Sequence, residues 1–198
     1  RDKMLRRGAQ RRSAGVFDLV VVGGGVAGIS AAVAAARLGL KVALVQNRPV
    51  LGGNNSSEVR VHLGGRINTG KYPRLGDLQK EFAPTLEGNA MPAENYADDR
   101  KLQFVKAQPN VSLFLNHHVC GVRLKDNKTS NAGCCEANGD ANGGSSNKKT
   151  CCSNTQNAAC TTSNTAINHD NTIEAVVAMN ILTGEEISFE APLFADCT

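Results

Sequence analysis

Residues 17–46 read FDLVVVGGGVAGISAAVAAARLGLKVALVQ, and the remaining elements of the chain can be placed around this stretch. An apolar run, Phe17 with Leu19 to Val22, meets three consecutive glycines. An alanine-rich segment follows, and then a second apolar run, Val42 to Val45. The order is strand, tight turn, helix, strand. The turn carries Gly23-x-Gly25-x-x-Gly28 between strand and helix, the context that a dinucleotide-binding fingerprint requires. Gly23 serves the tight turn, Gly25 lets a pyrophosphate approach the backbone, and Gly28 lets the helix pack closely on the strand. Val26 and Ala27 then open a helix whose N-terminus offers unpaired N–H groups and a partial positive charge to phosphates. Ala32 and Ala36 share one helix face. Gly39 stands where a C-cap glycine belongs, and Gln46 closes the second strand.

The bulk composition bounds the alternatives. At 198 residues, one domain is the default and two small ones are possible. The net charge of +4 is modest, and much of it sits at the start, where Arg1, Lys3, Arg6, Arg7, Arg11 and Arg12 face only Asp2. Residues 1–15 read as a disordered, solvated basic arm rather than a nucleic-acid contact. No apolar core follows the arm to complete a secretory signal, and no stretch reaches the length of a transmembrane helix. The cytoplasm is the expected compartment. Seven cysteines are an odd total, which argues against a complete disulfide framework, and the adjacent pairs Cys134-Cys135 and Cys151-Cys152 lack the C-x-x-C spacing of zinc sites. No metal is expected. The absence of an initial Met suggests a fragment or a processed product.

Beyond Gln46 the chain reads Asn47-Arg48-Pro49-Val50-Leu51-Gly52-Gly53-Asn54, a loop in which paired glycines again let backbone approach something bulky. Val59, Val61 and Leu63 alternate with Arg60 and His62, which predicts a short strand. Residues 66–95 contain Pro73, Pro84, Pro92, Gly70, Gly76 and Gly88, and read as loop with one short helix near Leu75 to Phe82. An amphipathic helix is expected over 96–107, then a buried strand over Val111 to Leu115 and another from Val119 to Leu124. Asp126 to Ala166 contains no Val, Ile, Leu, Met, Phe or Tyr. It cannot bury enough apolar surface to offset its ordering entropy, and residues 126–170 read as a low-complexity insertion. Ile173 to Leu182 and Ile187 to Phe189 read as a hairpin, and Leu193 to Asp196 as a last strand. The expected fold is α/β: a doubly wound, parallel, Rossmann-like sheet with a small antiparallel β-meander. Residues 16–125 and 171–198 would form one dinucleotide-binding domain around the insertion.

The pattern resembles the FAD-dependent oxidoreductases of the glutathione-reductase-like Rossmann type, with the stretch Val42 to Asn54 as a second matching motif. The resemblance implies FAD as cofactor and covers most of Asp18 to Asp196. It implies that Gly23, Gly25, Val26, Ala27 and Gly28 hold the pyrophosphate. Gln46, with Asn47 beside it, would stand where such proteins usually carry an acid for the adenosine ribose; an amide can bond a hydroxyl, but without charge assistance. Arg48, Gly52, Gly53 and Asn54 would lie along the cofactor, and the backbone of Val119 would meet the adenine edge. It also implies that a second, C-terminal glycine motif and a substrate-capping region would belong to the same enzyme.

A flavin would carry the redox chemistry while protein groups orient the substrate, which is an unidentified small organic molecule. Glu58, Arg60 and His62 are the candidate catalytic residues: Arg60 for an anionic group, His62 or Glu58 for a proton. They can equally be ordinary polar residues around a cofactor loop. The expected function is hydride transfer between FAD and that substrate. The alternatives are a binding module without turnover and an NAD(P)-binding domain.

Overall fold

The computed structural model describes residues 12–64, 69–74, 76–83, 88–125 and 172–198. The low-complexity stretch and all but the last residues of the basic arm lie outside the described residues. The elements in chain order are β1 (Arg12–Val16), β2 (Leu19–Val22), α1 (Val26–Arg37), β3 (Val42–Val45), α2 (Asp77–Phe82), a 3-10 turn (Ala93–Tyr96), α3 (Asp98–Lys106), β4 (Val111–Phe114), β5 (His117–Leu124), β6 (Ile173–Asn180), β7 (Glu186–Glu190) and β8 (Leu193–Asp196).

Among the described residues these strands form two sheets. One is parallel throughout, in the order β4-β3-β2-β8. The other has the order β1-β7-β6-β5, with β5, β6 and β7 antiparallel and β1 parallel to β7. The parallel sheet is covered on both faces, so its central strand β3 is buried at all four positions. The period of two sorts its side chains. Val42 and Leu44 join Val21, Ile29, Val33, Phe82 and Val105 in the core under the helices. Ala43 and Val45 join Phe17, Val20, Val176 and Phe189 in the core under the meander. That two-sided burial is why β2 and β3 read as continuous apolar runs rather than alternating ones. Phe114 stands edge-on to Phe189 at 4.8 Å and ties the two sheets together.

Helix α1 forms because eleven of its twelve residues avoid glycine and six are alanine, the residue with the best helix propensity. It ends where expected: Gly39 sits at φ +91°, Gly39 N bonds Ala36 O and Leu40 N bonds Ala35 O, so the last carbonyls are capped. Ala32 and Ala36 are both buried, which brings the helix close to the sheet.

Two expectations are corrected. Residues 12–15, expected within a disordered arm, belong to β1, which pairs through its backbone with Ile187 to Glu190. Residues 59–63, expected as a strand, form a loop held by backbone bonds: Arg60 lies at φ +62°, Arg60 N bonds Ser56 O, and Val61 N bonds Asn54 O. Val59 and Val61 are each 38% exposed, so their alternation reflects no buried face. β5 starts two residues before the expected Val119, and the hairpin of β6 and β7 and the last strand β8 lie where the pattern puts them. No helix among the described residues is long and apolar enough to cross a membrane.

Its place in the core under the helices, with no exposed surface, makes Leu44 a stringent probe. Leu44→Ala should lower the unfolding free energy by about 2–5 kcal/mol, measured by chemical denaturation, because it leaves a cavity between sheet and helices.

Candidate functional site

The loop between β2 and α1 is shaped by contacts that leave no room for side chains. A Cβ on Gly28 would stand 1.8 Å from Gly23 O, and one on Gly24 would stand 2.6 Å from Leu51 Cδ2. Gly25 differs: its missing Cβ points into open space. Gly25 is also the N-cap of α1, with no side-chain cap and no acidic residue in the first turn. The helical ladder opens with Ile29 N on Gly25 O at 2.9 Å, so the N–H groups of Val26, Ala27 and Gly28 have no partner one turn earlier.

The loop after β3 folds against this terminus. Gly52 N donates to Gly24 O at 2.8 Å, Gly25 and Gly52 form a parallel bridge, and a Cβ on Gly53 would stand 3.2 Å from Gly25 Cα. Between the two loops lies a cleft of about 410 Å³. Of the residues expected at a cofactor, Gly23, Gly25, Val26, Ala27, Gln46, Asn47, Arg48, Gly52, Gly53 and Asn54 all line it. Gly28 does not; it packs the helix on the loop. Val119 lines a second cavity, of about 500 Å³, which shares Gly23, Asn47 and Thr198 with the first.

Gln46 is only 4% exposed and its amide is engaged at both ends. Gly24 N donates to Oε1 at 2.8 Å, and Nε2 donates to Val50 O at 3.0 Å. It therefore braces the glycine loop against the following loop, leaving one N–H and one lone pair for anything else. A carboxylate here would set an oxygen against Val50 O, which explains why an amide suits this position.

The catalytic candidates separate. His62 lines the cleft; Glu58 and Arg60 do not. Glu58 pairs with Arg48 at 3.5 Å near the surface, and Arg60 Nε donates to Ser57 O at 2.9 Å. Asn89 Oδ1 accepts His62 N at 3.0 Å and lies 2.7 Å from His62 Nδ1. Because a backbone N–H can only donate, the Asn89 oxygen must face it. In the neutral ring Nδ1 then carries the hydrogen, and Nε2 is left as the proton-accepting nitrogen.

Sequence reasoning missed the support beneath the cleft. Lys101 is fully buried. Its Nζ donates to Asn55 O at 2.7 Å and to Tyr96 O, with Asp98 Oδ1 at 3.8 Å. Burial pushes the Lys101 pKa down, and the Asp98 charge opposes that shift. Asp98 also accepts Ser57 Oγ at 2.5 Å, and Tyr96 donates its hydroxyl to Arg60 O at 2.6 Å. Loop 52–60 is thus pinned at three points from the segment 96–101. The one available signal was that Lys101 and Val105 fall four apart on the buried face of α3. Asn55, on the cleft wall, donates Nδ2 to Val61 O at 3.0 Å and keeps a buried Oδ1 with no partner among the described residues. Cys197 and Thr198 complete the wall. Burial and the neighbouring Asp196 push the Cys197 thiol pKa up, so it is no thiolate nucleophile at neutral pH. No cluster of three metal-ligating side chains occurs among the described residues.

This arrangement fits a dinucleotide: an open glycine, free helix N–H groups and two adjoining cavities. Residues 18–198 match the family described as FAD dependent oxidoreductase. The chain belongs to that family. FAD is its cofactor. Over 38 residues it is 58% identical to a soluble pyridine nucleotide transhydrogenase of Ectopseudomonas mendocina (strain ymp), a match covering 19% of the chain and 8% of that protein. Its fold is similar to a flavocytochrome c3 fumarate reductase in the open conformation (TM-score 0.55, 14% identity, 93% of this chain and 34% of that one). It is also similar to the Mycobacterium smegmatis Sdh1 complex in the apo form (0.52, 14%, 96% and 35%). Thermovibrio ammonificans THI4 is a third such structure (0.51, 16%, 92% and 57%). The chain thus spans 34–57% of these structures' length.

The glycines make two separable tests. Gly25→Ala should leave stability within about 0.5 kcal/mol of wild type but weaken FAD binding by about tenfold or more. Gly28→Ala should instead lower stability by about 1–3 kcal/mol through overpacking. Thermal unfolding with and without FAD separates the two. The brace gives a third: Gln46→Glu should lower stability by about 1–3 kcal/mol at neutral pH, read by chemical denaturation, because a buried acceptor replaces a donor facing Val50 O.

Proposed function

We propose that this chain forms the cofactor-holding part of a flavoenzyme that transfers a hydride between FAD and a small organic substrate. The observation that carries the reading is the cleft at the N-terminus of α1, walled by Gly25 and Gly52-Gly53. FAD, when bound, supplies the two-electron redox centre. The N–H groups of Val26 and Ala27 hold the phosphate oxygens at the positive end of the helix. Asn47 and Arg48 stand where they can meet a ribose or a phosphate, with Gln46 keeping its remaining hydrogen-bonding capacity for the same region.

His62 Nε2 is the group on the cleft wall able to take a proton from a substrate O–H or N–H as hydride leaves the adjoining carbon. Asn89 holds its ring in the tautomer this requires. Glu58 and Arg60 serve the loop rather than the chemistry. Because the chain spans about a third of the fumarate reductase and of the Sdh1 chain, substrate contacts from further residues of the same enzyme are part of this reading. Residues 126–170 belong to it as an insertion between β5 and β6, whose ends meet at Leu124 and Ile173.

Purified full-length protein is expected to be yellow and to release flavin on denaturation. A colourless protein that takes up no FAD would contradict the reading. Bound FAD that no reductant or organic substrate can reduce would favour a binding module without turnover.

A further inference from the structure

Four non-glycine residues among the described ones lie at positive φ: Arg60 (+62°), Ala90 (+57°), Ala97 (+50°) and Asn116 (+60°). Asparagine adopts this conformation readily. For arginine and alanine the Cβ crowds the backbone, so the conformation persists only where surrounding contacts impose it. These three residues belong to one contact beside the cleft. Arg60 O accepts Ala90 N at 2.9 Å and the Tyr96 hydroxyl at 2.6 Å. Ala97 follows Tyr96 directly, and its carbonyl accepts Lys101 N at 3.2 Å. Tyr96 is fully buried, and its own carbonyl accepts Lys101 Nζ.

The contact brings two side chains together. His62, which lines the cleft, stands two residues beyond Arg60, and Asn89 stands immediately before Ala90. Asn89 Oδ1 meets both His62 N, at 3.0 Å, and His62 Nδ1, at 2.7 Å. Both bonds are exposed, and water competes for such partners, so the pair holds little by itself. What it has in addition is a fixed backbone on each side, because Arg60 O is held from two directions. At the other end of the ring, a Cβ on Gly64 would stand 3.3 Å from His62 Nε2, so the bare glycine keeps that nitrogen approachable.

We propose that residues 89–97 form a strained bracket that positions His62, with Asn89 and Tyr96 as its positioning residues. The Tyr96 hydroxyl and Ala90 N hold Arg60 O, which keeps Asn89 Oδ1 against His62 Nδ1. The hydrogen of the neutral ring then stays on Nδ1, and the lone pair stays on Nε2. The proposal rests on the reading of His62 as the proton-accepting group of the flavin site and deepens it. Neither Asn89 nor Tyr96 lines the cleft; both act through the tautomer of the ring.

Imidazole nitrogen NMR of the full-length protein, recorded where the rings are neutral, reads the tautomer of each histidine. In wild type, Nδ1–H should outnumber Nε2–H at His62 by about tenfold. Tyr96→Phe keeps the buried ring and removes only the donor to Arg60 O, and the ratio should fall by about threefold or more. Asn89→Ala should lower it at least as far. His117, whose Nδ1 lies 2.7 Å from Leu115 O, is the control, and its tautomer should change in neither variant. Wild-type His62 with its hydrogen on Nε2 would overturn the proposal, and needs no variant to fold. An unchanged ratio in Tyr96→Phe would overturn it too, as would a change that His117 shares. FAD titration of the same samples, read by flavin fluorescence, keeps the two readings apart. Wild type that holds His62 as Nδ1–H but takes up no FAD would overturn the cofactor reading and not the positioning of the ring.

Discussion

The structure depends on one close approach: the N-terminus of α1 lies so near the end of β2 that Gly23 O occupies the space a Cβ on Gly28 would need. Nothing larger than hydrogen fits there. The approach fixes where the helix starts, and therefore where three unpaired N–H groups are presented. It also fixes how deeply α1 sinks onto the sheet, with Ala32 and Ala36 buried beneath it. The parallel sheet is then sealed on that face, and the meander must seal the other. A core of Phe17, Val45, Val176 and Phe189 does so. The same carbonyl-to-helix contact thus couples the binding cleft to the packing of both layers.

A glycine-rich loop is entropically costly to order, and two braces offset that cost. From above, Gln46 ties Gly24 to Val50 through the two ends of one amide. From below, Lys101 reaches up to Asn55 O with its charge buried. Burying a cation is unfavourable unless it is paired and hydrogen-bonded. Here two carbonyls and the Asp98 carboxylate share it. The loop that backs onto Gly25 is consequently fixed before any cofactor arrives, which lowers the ordering cost that binding would otherwise bear.

Much of this was legible in the residues. β2, α1 and β3 declare themselves because apolar runs, small-residue spacing and glycine punctuation agree, and the parallel sheet follows from them. The hairpin of β6 and β7 is legible for the same reason, with Thr183-Gly184 as its turn. β1 is not legible. Arg12-Ser13-Ala14-Gly15-Val16 has no apolar alternation, and its pairing with β7 runs through backbone groups that every sequence possesses. The loop after Gly53 misleads because Val59, Val61 and Leu63 mimic a strand's period, while the positive φ of Arg60 breaks it. Lys101 is missed because a lysine on an amphipathic helix is normally solvated; the two carbonyls and the Asp98 carboxylate it meets explain its burial. His117 and Asn55 stand out only through the partners that a buried atom of each lacks among the described residues, and a sequence does not record those.

On the proposed reading, the helix N-terminus between Gly25 and Gly28, facing Gly52 and Gly53, receives the phosphates of FAD. Amide hydrogen exchange on the full-length protein, with and without FAD, tests it most directly. FAD should slow exchange at Val26, Ala27 and Gly28, with a smaller effect along Gly52 to Asn55. Protection confined to other parts of the chain, with these amides unchanged at saturating FAD, would contradict it.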